Sequence, residues 1–232
     1  MSKIRLYIDK IFYKSSPITL DKEKSHYLKN VMRKKQDEEI NIFNQNEEWV
    51  AKLTFEDGMK LLPKNLIRKS QFNDDIWMCF SLIKSKKMNY LIEKVSEIGV
   101  RKIVPIVSTF SERFTPNYSR LKKIALEAVE QSEGMSIPII EEKKNLNEIL
   151  EDWDPDRKII FCDEKGNGKE IMKVTLTKKK LAIFIGPVGG WSEQDRQCFE
   201  CLDHINVSLG SNVLKVDTAS LVSLFVLRNL II

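Results

Sequence analysis

Beyond residue 75 the sequence alternates between short, unbroken apolar runs and longer segments with helical spacing. That alternation constrains the fold more than any other feature. Residues 76–83, 103–107, Ile159-Ile160-Phe161-Cys162 and Leu181-Ala182-Ile183-Phe184-Ile185 are apolar at nearly every position. Strands of this kind are buried on both faces, as in a parallel sheet sandwiched by helices. Between them, Met88, Leu91, Ile92, Val95 and Ile98 recur at helical spacing before a terminating Gly99. Pro116-Asn117 opens a second helix with Leu121, Ile124, Ala125, Ala128 and Val129 on its buried face. Ser192 with Asp195 reads as a capping box that opens a helix running to Leu202. A last strand is expected over 205–208 and a last apolar helix over 217–230, capped by Asp217 or Thr218. The pattern predicts an α/β domain.

The first third has a different rhythm. Residues 4–8, Glu39-Ile40-Asn41-Ile42-Phe43 and 49–55 read as short strands, with turn signals at Asn44-Gln45-Asn46 and Asp57-Gly58. Closely spaced strands predict a small barrel or sandwich. Between them, residues 21–35 form a basic, helical segment carrying His26, Lys29, Arg33, Lys34 and Lys35. The polar stretch 68–75 marks the boundary, giving expected domains of 1–70 and 71–232.

Charge follows the same division. The 232-residue chain carries a net charge of +5, and residues 1–70 hold all of it, with 15 Lys/Arg against 10 Asp/Glu. The remainder holds 23 of each. A basic module joined to a neutral one points to a polyanion-binding part. Residues 219–232 are too short for the roughly 20 residues of a membrane span, and Arg228 interrupts them. The N-terminal segment lacks the apolar core of a secretory signal. Four cysteines without export features fit free thiols in a reducing cytoplasm.

Two loops are candidates for chemistry. Ile185-Gly186-Pro187-Val188-Gly189-Gly190-Trp191-Ser192 lies between a buried strand and a helix start, where open α/β sheets bind ligands. It is neither a dinucleotide fingerprint nor a phosphate loop, and Gly166-Asn167-Gly168-Lys169 is no phosphate loop either. Leu209-Gly210-Ser211-Asn212-Val213-Leu214-Lys215-Val216-Asp217-Thr218 follows the last strand and brings Lys215 and Asp217 toward the same end of the sheet. Cys198-x-x-Cys201-x-x-His204 has metal-like spacing but no second ligand pair. It reads as buried thiols and a surface histidine. Trp191 and Phe184 are candidates either for stacking on a base or for core packing.

The paired loops resemble the signatures of the RsmE family, 16S ribosomal RNA uridine-N3 methyltransferases of the SPOUT (α/β-knot) superfamily, whose forms are I-G-P-E-G-G-F-S and L-G-x-R-I-L-R-x-E-T-A. The resemblance extends to Arg5-Leu6-Tyr7-Ile8-Asp9, to His26 with Val31-Met32-Arg33, to Glu93-Lys94 with Glu97-Ile98-Gly99-Val100, and to Glu127-Ala128-Val129-Glu130-Gln131-Ser132. It implies a small PUA-like β-barrel for RNA, then a SPOUT α/β trefoil-knot methyltransferase domain working as a homodimer on 16S rRNA of the small ribosomal subunit. It also implies S-adenosyl-L-methionine as cofactor, with no metal and no membrane.

Carried over residue by residue, the cofactor cradle is Ile185, Gly186, Pro187, Gly189, Gly190, Leu209, Gly210, Val213, Leu214 and Thr218. Lys215 is the expected stabiliser of a uridine anion. Asp217 is the base or the group that orients Lys215. Arg5, His26, Arg33 and Lys34 are the expected RNA contacts. The chain departs from the family at charged positions: Val188 stands for Glu, Gly134 and Asn212 for Arg, Ser136 for a basic residue, Lys215 for Arg and Asp217 for Glu. Because Lys cannot reproduce the bidentate fork of Arg, two competing expectations stand beside the first. One is a catalytically weak rRNA-binding paralogue acting in ribosome assembly; the other is a SPOUT methyltransferase with another RNA target.

Overall fold

The computed structural model describes residues 4–56, 58–70, 75–176 and 180–231. Asp57, the core of the expected boundary at 71–74, and Lys178-Lys179 lie outside the described residues. The chain separates into two compact units. One comprises the chain to Phe72 together with Glu130–Ser136; the other comprises Asn73–Val129 and Ile137–Ile232. The segment from 130 to 136 therefore belongs with the first third, which a contiguous division of the sequence misses.

The first unit holds β1 (Arg5–Tyr7), β2 (Ile18–Thr19), α1 (Lys22–His26), β3 (Glu39–Phe43), β4 (Glu47–Thr54) and β5 (Lys60–Lys69). They form one five-stranded sheet in the order β1-β3-β4-β5-β2. The alternation that predicted β3 and β4 is visible in their burial: Ile40, Ile42, Ala51 and Leu53 face inward and join Leu28 and Leu61 in a closed core. β5 was not legible because Pro63 interrupts it. Its pairing with β4 slips between Val50 and Ala51, opposite that proline, so the missing donor falls at an irregularity. Asp21 caps α1 by accepting from Lys24 N at 2.7 Å. The helix then widens into one π-helical turn, Tyr27–Val31, and Arg33 leaves it with φ +51°.

The second unit is built on an eight-stranded sheet. Its elements are β6 (Asp75–Ser81), α2 (Ser85–Ile98), β7 (Lys102–Val107), α3 (Tyr118–Gln131), β8 (Ile139–Ile140), β9 (Lys144–Asn145), α4 (Leu146–Glu151), β10 (Lys158–Cys162), β11 (Lys169–Glu170), β12 (Lys180–Ile185), α5 (Glu193–Glu200), β13 (His204–Ser208) and α6 (Val216–Leu230). The end of α3 passes into the first unit. Strands run in the order β11-β13-β10-β12-β6-β7-β8, with β9 also pairing β7, all parallel. The unbroken apolar runs have a direct explanation, since each central strand feeds two cores. Leu181, Ile183 and Ile185 of β12 pack on one face with α2 and α6. Ala182 and Phe184 pack on the other with Leu146, Trp191 and Phe199.

The last third of this unit sets the site. β12 lies on one side of β10 and β13 on the other. The chain must then return across β10, because α6 packs on β12, β6 and α2. The returning segment, 209–215, is thereby drawn over the C-terminal ends of β10 and β12.

Three smaller expectations are corrected. The helix opened by Ser192 ends at Glu200, not Leu202. Residue 215, not 217 or 218, occupies the N-cap of α6, and no side chain caps it. Cys198 is half-buried and Cys201 exposed beyond the helix end, so they are not buried thiols.

Candidate cofactor cavity

A cavity of about 800 Å³ opens at the C-terminal ends of β10, β12 and β13. Three consecutive strand ends supply its walls. Ile185 ends β12 and Gly186, Pro187, Gly189 and Gly190 come from the loop after it, with Leu209, Gly210, Val213, Leu214 and Lys215 from the loop after β13. Thr218 and Asp217 do not line it. Both sit in the first turn of α6, where Asp217 Oδ1 accepts from Thr218 N at 3.1 Å. No ion pair joins Asp217 to Lys215 among the described residues.

The third wall was not anticipated: Cys162 ends β10, and Asp163, Glu164, Lys165, Gly166 and Gly168 follow it. Its signal was weak, a glycine-containing loop after an apolar run with no motif. Arg196 on α5 straps this wall in place, donating to Asp163 Oδ1 at 2.9 Å and to Glu164 Oε1 at 2.5 Å. Burial works against the guanidinium charge, but the two carboxylates outweigh it and raise its pKa. Burial pushes the Cys162 thiol up to about 12, which disfavours the thiolate form.

Glycine is required in the β12 loop for reasons of space and conformation. Gly190 has φ +77°, and a Cβ there would lie 2.6 Å from Glu164 Oε1. A Cβ on Gly186 would lie 2.9 Å from Trp191 Nε1. Trp191 itself is core: it is buried, stacks on Phe161 and donates to Cys162 O at 3.2 Å. Phe184 is likewise fully buried. Neither residue lines the cavity. The capping box of Ser192 and Asp195 is present. Asp195 also accepts from Thr109 N at 3.2 Å and Thr109 Oγ1 at 3.1 Å, tying the loop after β7 to the same corner.

A volume of this size suits a nucleoside-sized ligand. Ile185, Leu209, Val213 and Leu214 offer apolar wall, and glycine backbone offers donors and acceptors without side chains in the way. The residues present therefore fit an adenosine-bearing cofactor. No group of three or more His, Cys, Asp or Glu positioned for a metal ion occurs among the described residues, and none of their helices is long and apolar enough to cross a membrane.

The expected RNA contacts divide. His26 and Arg33 are exposed, and His26 Nδ1 lies 2.8 Å from Asn30 Nδ2. Lys34 is partly shielded and 3.7 Å from Glu38. Arg5 is a correction. Its side chain is buried, pairs with Glu48 at 2.9 Å, donates to the carbonyls of Glu130 and Gly134, and stacks 4.2 Å over Phe43. An arginine so fully engaged holds the barrel together and has no fork left for a phosphate. Gly134, where the family has Arg, contributes to this arrangement its carbonyl alone.

Comparison with known proteins agrees with the geometry. A family model described as an RNA methyltransferase domain matches residues 70–228, and one described as an RNA methyltransferase PUA domain matches residues 20–61. The ribosomal RNA small subunit methyltransferase E of Rickettsia conorii is 25% identical over 97% of this chain and 94% of its own length. The protein of that name from Buchnera aphidicola subsp. Acyrthosiphon pisum is 27% identical over 97% and 93%. Among solved structures, the ribosomal RNA small subunit methyltransferase E of Neisseria gonorrhoeae, bound to S-adenosyl methionine, superposes with a TM-score of 0.88 at 21% identity, covering 99% of this chain and 98% of that one.

Proposed function

The chain belongs to the RNA methyltransferase family, and from that premise we propose that it moves a methyl group from S-adenosylmethionine to N3 of one uridine in small-subunit ribosomal RNA, acting as a homodimer. The fold is the SPOUT α/β-knot domain joined to a PUA-like barrel. The observation that carries the reading is the glycine-walled cavity at three adjacent strand ends, with Lys215 exposed at its edge.

When bound, S-adenosylmethionine supplies a methyl group on a cationic sulfur. The chain's own residues do the rest. Apolar side chains at 185, 209, 213 and 214 and the backbone of the two glycine loops hold the adenosine end. N3 of uridine must lose its proton as the new N–C bond forms and the S–C bond breaks. An ammonium beside the developing anion favours that loss, which is the part assigned to Lys215. Asp217 neither lines the cavity nor pairs with Lys215 among the described residues, so it has no part in this step, and the proton passes to solvent at the cavity mouth. Holding both reactants in one site supplies much of the remaining acceleration. On the barrel, His26, Arg33 and Lys34 contact RNA phosphates. Phe225 and Val222 stand exposed on α6 and support a second copy as their cover.

Calorimetric titration with S-adenosylmethionine, then methyl transfer to small-subunit RNA, free and assembled, tests the reading. N3-methyluridine cannot pair, so reverse transcription stops at the product. Lys215→Ala is expected to lower kcat by about 100-fold or more with cofactor affinity retained. Cofactor binding with no transfer to either substrate identifies an rRNA-binding paralogue instead.

A further inference from the structure

Phe110 leads the loop after β7 and is 57% exposed. Leaving a phenyl ring in water forgoes the gain of burying it, and this ring does not stand at random. Its Cβ is 3.4 Å from where a Cβ on Gly189 would be, so it abuts the β12 loop that walls the cavity. The loop beneath it is held by hydrogen bonds. Ser81 and Ser108 hydroxyls meet at 2.8 Å, Ser111 Oγ donates to Ser108 O at 2.9 Å, and Thr109 is bound by Asp195 and by Ser192 Oγ at 2.8 Å. Ser108 and Ser111 turn their hydroxyls inward, and the Phe110 ring is left outside. Val188 and Val213, 80% and 75% exposed, are apolar residues of the cavity wall. Three residues on, Arg113 is exposed with no ion-pair partner among the described residues.

A pinned aromatic face beside a methyl-donor cavity, followed by an unpaired cation, has the chemistry of a nucleotide platform. Bases stack on aromatic rings in single-stranded RNA, and arginine takes the phosphate. We propose that Phe110 is the positioning residue for the target nucleotide, stacking the base to be methylated or its immediate neighbour at the cavity mouth, while Arg113 holds the adjoining phosphate. This rests on the methyl-transfer reading and adds how the RNA is seated.

The test compares Phe110→Ala, Phe110→Leu and Phe110→Trp in full-length protein, with unmodified small-subunit rRNA, free and assembled, as substrate. Because the ring is exposed, all three variants keep the wild-type melting temperature. The Ala and Leu variants are expected to lose about 10-fold or more in kcat/KM for RNA, while calorimetric affinity for S-adenosylmethionine and sedimentation behaviour stay unchanged. Trp restores the rate, since it offers a flat π face where Leu offers only bulk. A Leu variant equal to wild type overturns the proposal, as does a loss that tracks weaker cofactor binding or dissociation of a dimer. If wild type transfers no methyl group, the functional reading falls and takes this one with it. If wild type is active and Ala is indistinguishable from it, only the stacking role falls.

Discussion

The two units place arginine in opposite ways. In the barrel, Arg5 is buried against Glu48, with Arg68 sharing the carboxylate at 2.8 Å. In the second unit, Arg196 straps Asp163 and Glu164 behind the cavity wall and remains partly open to solvent. The first pair organises a fold; the second positions a loop. Breaking the first therefore costs stability everywhere in its unit, whereas breaking the second loosens one wall. Neither arginine is free to meet RNA, so the basic character of a segment is a poor guide until each side chain's partners are known.

The largest expected effect comes from Arg5→Ala. It leaves the Glu48 carboxylate buried with one partner removed, and breaking such a pair costs about 3–5 kcal/mol. Urea unfolding reads the change. If Arg5 were an RNA contact, the same variant would keep its stability and lose salt-dependent RNA affinity instead.

Gly190→Ala comes next. The left-handed backbone costs an L-residue roughly 1–2 kcal/mol, and the added methyl group meets Glu164. Affinity for S-adenosylmethionine is expected to fall by about 10-fold, with the barrel's stability untouched. A normal titration would remove the β12 loop from the cofactor cradle.

Glu48 gives the comparison a pH axis. Burial raises its pKa, but hydrogen bonds and charge from Arg5, with Arg68 and Asn41, outweigh that and hold it below 4.5. A depressed carboxylate contributes stability that is fully present above its unfolded pKa and is lost as pH falls through the folded value. Wild-type stability should therefore hold down to about pH 4.5 and decline below it. Glu48→Gln should be weaker at neutral pH and flatter in acid. An unchanged pH profile would mean that the pair does not form.

The smallest effects belong to the exposed basic turn. Arg33→Ala should weaken RNA binding and reduce the slope of log affinity against log salt by about one. Lys34→Ala should do less, because Glu38 already draws on its charge. Equal effects would place Lys34 on the RNA as fully as Arg33.

Legibility in the sequence followed the same divide. The strands at 159–162 and 181–185 were readable because burial on both faces removes every polar residue. The β12 loop was readable because close approach demands glycine at 186 and 190, and the β13 loop because Gly210 takes a φ of +121°. β5 was hidden by Pro63, whose tolerance depends on a slipped register in the partner strand. The helix α4 was overlooked although its capping box, Asn145 with Glu148, is a legible signal. Arg5 could not be assigned from sequence, since its partner lies 43 residues away. The wall after β10 was missed for a similar reason. Its shape comes from Arg196, more than thirty residues on, and not from any motif of its own.

The return of the chain from β13 to α6 has a thermodynamic consequence. Three loops wall the cavity, and the last of them runs directly into α6, which packs on β12 and β6. A conformer with α6 undocked has two walls and no site, so any ligand of the cavity is linked to completion of the topology. At a concentration about 100 times its dissociation constant, such a ligand adds roughly 2.7 kcal/mol to the docked state. The methyl donor would then act as a latch as well as a substrate, and its depletion would raise the fraction of chains with the last helix open to proteolysis.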